Sequence, residues 1–434
     1  MFLRHPMPIP RNFAGEPDMT HSQTAAPLPQ GKELKAALSR AQAVSRRRAF
    51  LLVAPLLLFI LASFVVPIGQ MLYRSVYNAG FADNMPQVTQ WFADHPAGTP
   101  PDEAAYAALV GDLQAAAKAR TVAIVGTRVN YDMSGTRSLF TSVGRQADKL
   151  QPPFAQSLPA LNPQWASPEL WSTMRQAAKS HSANFYLAAL DRTRDAEGAI
   201  VPAPEDRKLY IMLFLRTFAM AAGITLICAI LGFPVAHLLA TLPLRQSNLL
   251  MICVLLPFWT SLLVRTTAWI AILQGQGVIN SAMVALGVLT EDGRLSMVYN
   301  RTGAIIAMTH ILLPFMILPL YSVMRTINPA YVRAALSLGA TSWTAFRRIY
   351  FPQTLPGLGA GALLVFILAV GYYITPALVG GASGQLISNM IAFHMQNSLN
   401  WSLAAALAAL LLAAVLALYW LYDRLVGIDN MKLG

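Results

Sequence analysis

A single guanidinium stands in an otherwise uncharged stretch: Arg265, within the apolar run Asn248–Leu273. An ionised side chain in hydrocarbon is expensive, and it marks a functional group unless backbone carbonyls or the interface take it up. None of the long apolar runs contains an Asp or Glu that could pair with it. Two readings stay open: a contact on a solute pathway, or a structural anchor that bonds carbonyls or snorkels outward. Trp259 and Trp269 flank Arg265 in the same run, and Tyr372 and Tyr373 stand together in another. Ring faces of this kind hold cations at about 0.5–2 kcal/mol each; the same rings also pack against neighbouring helices. Gly371 and Pro376 bracket the tyrosine pair and loosen a helix there, as a moving gate requires, although both residue types are common in membrane helices. Trp259, Arg265, Trp269, Gly371, Tyr372, Tyr373 and Pro376 are the candidates for a translocation pathway.

Covalent chemistry is poorly served. His237, His310 and His394 lie on separate segments, with no His-x-x-x-His pair and no carboxylates beside them, so a metal centre is not expected. No apolar run supplies the Asp of a Ser/His/Asp triad. The chain lacks the Gly-x-x-x-x-Gly-Lys-Ser/Thr loop that cradles nucleotide phosphates, so ATP chemistry must come from another chain. No catalytic residue and no cofactor bound by this chain are expected. Cys228 and Cys253 both sit inside apolar runs and read as small buried apolar residues rather than a disulfide or a thiolate site.

The elements that must position the candidates are membrane helices. The 434 residues are 55% hydrophobic and only 12% charged, about half the charge of a soluble domain. The apolar runs reach bilayer length. They are continuous rather than alternating, which selects helices over a barrel. Six spans are expected: 49–73, about 209–239, 248–273, 302–324, 358–379 and 401–422. The last two lie in a stretch from Ile349 to Tyr422 with no charged residue, broken at Gly380–Gln385. The first apolar run begins only at Ala49 and is too long for a cleavable leader, so it reads as a retained signal anchor. Arg46, Arg47 and Arg48 precede it, which places the N-terminus in the cytoplasm; six spans then return the C-terminus to the same side.

The net charge of +12 follows that topology rather than a nucleic-acid partner. Residues 1–48 carry eight Lys/Arg against three acids. They form a basic arm in which Leu34, Leu38, Ala41 and Val44 recur at helical spacing; it is either an amphipathic helix on anionic lipid or a mobile arm. Residues 1–30 read as disordered. Residues 74–208 carry thirteen charges of each sign and form an extracytoplasmic insert of helices, such as Glu103–Ala119 and Pro168–Ala189, with a short strand expected over Arg120–Val129. The insert either docks a partner or is passive decoration.

One segment, Asn328–Pro356, is basic and helix-forming yet sits between two spans. Gly339 reads as a helix stop, and Thr341-Ser342 as the cap of a second short helix ending near Tyr350. The elbow lies within the cytoplasmic loop 325–356, with four Arg and no acid. Its pattern resembles the cytoplasmic loop of ABC-importer permeases: Glu-Ala-Ala, three residues, Gly, nine residues, Ile, one residue, Leu-Pro. Ala334, Ala335, Gly339, Ile349 and Pro352 fall at matching positions. Arg333 stands where the family has Glu, which reverses a charge, and Phe351 where it has Leu, which keeps an apolar contact. Pro257–Trp269 and Gly371–Gly381 are similar to the third and fifth spans of spermidine/putrescine permeases, so the resemblance covers about residues 209–425.

The resemblance implies an all-α membrane protein of the type I importer permease fold, in the bacterial inner membrane, forming half of a translocation pathway for a small solute. It implies a second permease subunit, two ATP-binding-cassette ATPases that bring ATP and Mg, and an extracytoplasmic solute-binding protein. Arg333, Ala334, Ala335, Gly339, Ile349, Phe351 and Pro352 would then contact the ATPase. The cargo it implies is a polyamine, with another small amine, an opine or an organic solute as the alternative. A membrane receptor whose insert senses a ligand is the reading from a different class.

Overall fold

A computed structural model describes residues 31–195 and 198–426. The expected disorder of residues 1–30 and the tail from 427 lie outside the described residues. Two units separate, Met1–Pro67 and Ile68–Gly434. In the first, one helix begins at Lys32 and runs to Ile60, followed by a π turn, Leu61–Val65. The basic stretch from Lys32 is thus helical rather than an irregular arm.

Among the described residues six helices are long and apolar enough to cross a membrane: Gln42–Val76, Tyr210–Thr241, Leu262–Ala285, Arg301–Thr326, Ser342–Gly371 and Trp401–Arg424. They are called spans one to six below. Span four is the most enclosed of the five in the second unit. Met308, Leu312 and Met316 on it meet Ile224 and Cys228 of span two and Val365 and Ala369 of span five in one buried cluster. Small residues bring the backbones together, as membrane packing without a hydrophobic drive requires. A Cβ at Gly361 would lie 2.9 Å from Met316 Sδ, one at Gly357 2.9 Å from Val323 Cβ, and one at Gly232 3.0 Å from Met316 Cγ. The pair Gly357 and Gly361 is spaced for one face of span five.

Three boundaries differ from expectation. The run 248–273 is not one helix: Leu244–Leu255 ends in a tight turn, Leu256–Trp259, and Leu262–Leu273 starts anew with the Ser261 side chain capping Val264 N–H at 3.2 Å. Pro257 has no N–H to continue the ladder. Span five stops at Gly371, and Ile374–Val379 is a separate short helix. The helix opened by Thr341 does not close at Tyr350 but passes through a π turn, Phe346–Tyr350, into span five.

The insert has its own core, with Phe81, Met85, Leu109, Phe140, Trp165 and Met174 fully buried. Arg120–Val129 is not a strand; Val122–Asn130 is a helix. Val122, Val125 and Val129 are buried at helical spacing, and Gly126 fits under Phe140, where a Cβ would come within 3.0 Å. Helix-on-helix packing therefore overrides the β-branched composition. Pro168–Ala189 divides into Pro168–Ala177 and Asn184–Ala189. The strands present are a hairpin, Arg192–Arg194 with Ile200–Pro202. Carboxylates cap helix ends from a distance: Asp112 accepts from Gln87 and Val88 N–H at 3.2 and 2.8 Å, and Glu103 from Phe154 and Ala155 N–H at 2.6 and 2.8 Å.

The insert is joined to the spans at Asp191. Its backbone is left-handed at φ 53°, and its carboxylate accepts the N–H groups of Leu209, Tyr210 and Ile211 at 3.0, 3.0 and 2.9 Å, closing the N-terminus of span two. Phe185 and Ala189 share a core with Leu213, Leu403 and Leu407 of spans two and six. Tyr210 Oη meets His394 Nε2 at 2.9 Å, and His394 Nδ1 meets Ser398 Oγ at 2.8 Å.

Burial pushes the His394 imidazole down from 6.5 to about 4. A depressed histidine contributes stability that is complete above 6.5 and is lost as pH falls toward 4. Thermal unfolding of the purified protein should therefore show stability rising across that window by up to about 3 kcal/mol. The slope should flatten in His394→Asn; an unchanged slope in the variant would place the titration elsewhere.

Candidate functional site

Two arrangements bring the candidate residues together. The first lies where span three, span four and the break in span five meet. Trp269 Nε1 donates to His310 Nδ1 at 3.1 Å, tying span three to span four. Thr266 and Thr375 hydroxyls meet at 3.3 Å, tying span three to the short helix after the break. The Arg265 guanidinium lies within electrostatic reach of both His310 and Tyr372. Its Nε and Nη1 are buried and have no hydrogen-bond partner. The carbonyl-bonded anchor anticipated as one reading is not what the geometry contains for these two atoms.

The break itself is well supported. Tyr372 and Tyr373 leave the helix, and their carbonyls are taken by Ser388 Oγ at 2.6 Å and Asn389 Nδ2 at 2.8 Å. Both donors belong to the short helix Ile387–Gln396, whose first N–H bonds Thr217 Oγ1 of span two at 2.9 Å. Satisfied carbonyls let a broken helix persist at membrane depth. Gly371 has open space where a Cβ would sit, and Pro376 is buried. Trp259 does not join this set; it is 73% exposed on the turn before span three. His310 was passed over in the sequence because no ligand partner accompanied it, and only the fold places it against Trp269.

The second arrangement is the elbow. Pro329–Ser337 starts with the Asn328 side chain accepting Ala330 N–H at 2.9 Å. It ends at Gly339, φ +86°, with Ala340 N–H reaching back to Ala335 C=O at 3.1 Å. Thr341 then caps Thr344 N–H at 3.2 Å. No residue of Pro329–Ser337 is buried, and Leu338 and Trp343 are exposed. Arg333 is exposed and enters none of the ion pairs among the described residues. Ile349 and Phe351 are half-buried and Pro352 is exposed on the continuing helix.

An aromatic bridge that the sequence did not reveal connects this elbow to span two. Trp343 stacks on Phe346 at 5.7 Å, Phe346 meets Phe233 edge-on at 6.0 Å, and Phe351 lies 5.8 Å from Phe233. Tyr350 Oη bonds His237 Nδ1 at 3.0 Å. Arg325 donates to Ala240 C=O at 2.8 Å, closing the same end of spans two and four.

With this geometry in view, comparisons with known proteins are informative. Residues 229–427 match the model of the family described as binding-protein-dependent transport system inner membrane component. The spermidine/putrescine transport system permease protein PotB of Salmonella typhimurium strain SL1344 is 36% identical over 222 residues, 50% of this chain and 77% of that protein. The chain belongs to this family. PotB of Haemophilus influenzae is 33% identical over 52% of this chain and 78% of its own length. The inner membrane ABC transporter permease protein YdcU of Escherichia coli K12 is 32% identical over 50% and 71%. The protein is thus a multi-pass inner-membrane permease subunit of an ABC importer. The insert, residues 74–208, lies outside the family match.

The two open donors of half-buried Arg265 have a thermodynamic consequence. Buried donors without partners cost stability, so an apolar replacement of similar length relieves it. Arg265→Met should raise the melting temperature in detergent, by the equivalent of about 1–2 kcal/mol. The same variant should slow substrate uptake in proteoliposomes. A drop in melting temperature would show that the arginine is held by partners.

Proposed function

We propose that this permease imports a polyamine of the spermidine/putrescine type, with ATP hydrolysed by a separate pair of ATPase subunits that bind ATP and Mg. It pairs with a second permease subunit and receives cargo from an extracytoplasmic solute-binding protein. Both termini and the elbow face the cytoplasm, and the insert faces the other side. The observation that carries the coupling role is the elbow: an unburied helix with exposed Leu338 and Trp343, carrying Ala334, Ala335 and Gly339 at the family spacing. Small alanines allow a helix to seat closely in a groove, and the aromatic bridge supplies a stiff route from that groove to span two. The residues from Arg333 to Pro352 act as the coupling segment, and Arg265, Trp269, Tyr372 and Tyr373 line the pathway.

The polyamine assignment rests on the names of the relatives. Apart from Asp423 in the last turn of span six, the spans hold no acid, so a cation is left ring faces and carbonyls and selectivity for it resides in the binding protein. That same lack of carboxylates favours a second reading in which the cargo is another small amine or organic solute. Calorimetry of the cognate binding protein against spermidine, putrescine and neutral amino-acid derivatives separates the two.

Gly339→Pro and Ala335→Trp should each abolish cargo-stimulated ATPase activity, with loss of the ATPase subunits on co-purification. Arg333→Glu should leave coupling within about twofold, as an exposed side chain without a partner predicts. Retained ATPase binding in Ala335→Trp would refute the docking assignment. For the insert, replacing residues 84–178 by a short linker keeps Asp191 and the packing of Phe185 on Leu213, Leu403 and Leu407. That variant should assemble normally but lose stimulation by the binding protein; unchanged transport would remove the docking role.

A further inference from the structure

The insert holds a cavity of its own, with a volume of about 820 Å³. That size falls within the range of small-molecule sites, roughly 300–1,000 Å³. Its apolar wall is Trp91, Phe92 and Trp171, locked edge to face with ring centroids 6.0 Å apart for both Trp91–Trp171 and Phe92–Trp171. Arg175 lies over this wall, 4.9 Å from the Phe92 ring, and its Nη1 donates to the carbonyls of Phe92 and His95 at 2.7 and 2.6 Å. The group is therefore fixed before any ligand arrives, while Nε and Nη2 are left without bonds. Lys179 stands exposed at the rim and joins none of the ion pairs among the described residues. Among the described residues the acid that lines the cavity is Asp195, whose Oδ1 accepts Ala199 N–H at 2.8 Å.

We infer that this cavity is a binding site for a small organic anion, a carboxylate carried on a ring. The ring lies along Trp171 and Phe92, and the carboxylate reaches Lys179 and the free edge of Arg175, where charge-assisted hydrogen bonds are strong. The charge of the described walls disfavours a second stop for a polycation: a polyamine would meet Arg175, Lys179 and Arg194 against Asp195. The site belongs to the insert alone and adds a ligand to a chain whose pathway has its own residues.

The test uses the full-length protein in lipid nanodiscs and fluorine NMR line broadening of 4-fluorophenylacetate, with 4-fluorophenethylamine as the cationic control of the same shape. For a probe of this size a dissociation constant of about 4 mM is expected. The amine should bind at least about tenfold more weakly, and spermidine should not displace the acid. Lys179→Glu removes the rim charge and Ser172→Trp fills the cavity; each should weaken the acid about tenfold, a difference of 1.4 kcal/mol, with unchanged thermal melts. Equal binding of acid and amine, binding that survives both substitutions, displacement by spermidine, or no binding of the acid at about 10 mM would each overturn the assignment.

Discussion

The carboxylate of Asp191 holds the molecule's two kinds of structure together. Three N–H groups at the start of span two would otherwise end unpaired at the edge of an apolar environment, and one side chain takes all three. To do so, Asp191 adopts a left-handed backbone, and Ala203 N–H fixes its carbonyl at 3.0 Å. The apolar seam of Phe185 and Ala189 against spans two and six then follows. An insert with its own core thus meets the spans through a joint rather than a tether. Asn78 adds a bond to Ser402 Oγ of span six, and Tyr131 one to Leu399 C=O just before it, so the joint is held at several points.

Beyond that joint, the spans are arranged by what their backbones leave open. Glycines at 232, 357 and 361 let spans two and five close on span four, and methionine fills the gaps between them. Where the helices break, side chains complete the backbone: Ser261 caps the new helix locally after Pro257, and Ser388 and Asn389 of another helix take the carbonyls of Tyr372 and Tyr373. The breaks place the carbonyls, rings and one arginine in a region that continuous helices would have sealed.

Much of this was legible in the residues. The bounds of Glu103–Ala119, the start of span two within one residue, and Gly339 as a left-handed stop all follow from local rules of capping and hydropathy. What the sequence hid was of another kind. Val122–Asn130 reads as a strand by composition, and only the neighbouring helix makes its buried valines helical. The break before span three was masked because an uninterrupted apolar run gives no polarity change at Pro257. His310 gained its partner from span three, 41 residues away in sequence. The aromatic bridge from Trp343 to Phe233 is likewise a product of packing between distant elements.

The π turn Phe346–Tyr350 bears on how motion passes through the chain. One extra residue in a helical turn shifts every later side chain by about 100° around the axis. The two parts of span five, Ser342–Ala345 and Phe351–Gly371, are therefore pieces of one screw cut out of phase, joined where Phe346 and Tyr350 touch span two. Sliding that defect along the helix would turn by about 100° only the side chains it passes, while keeping most backbone bonds. The junction is therefore a place where a few side chains can change face while the rest of the span keeps its orientation.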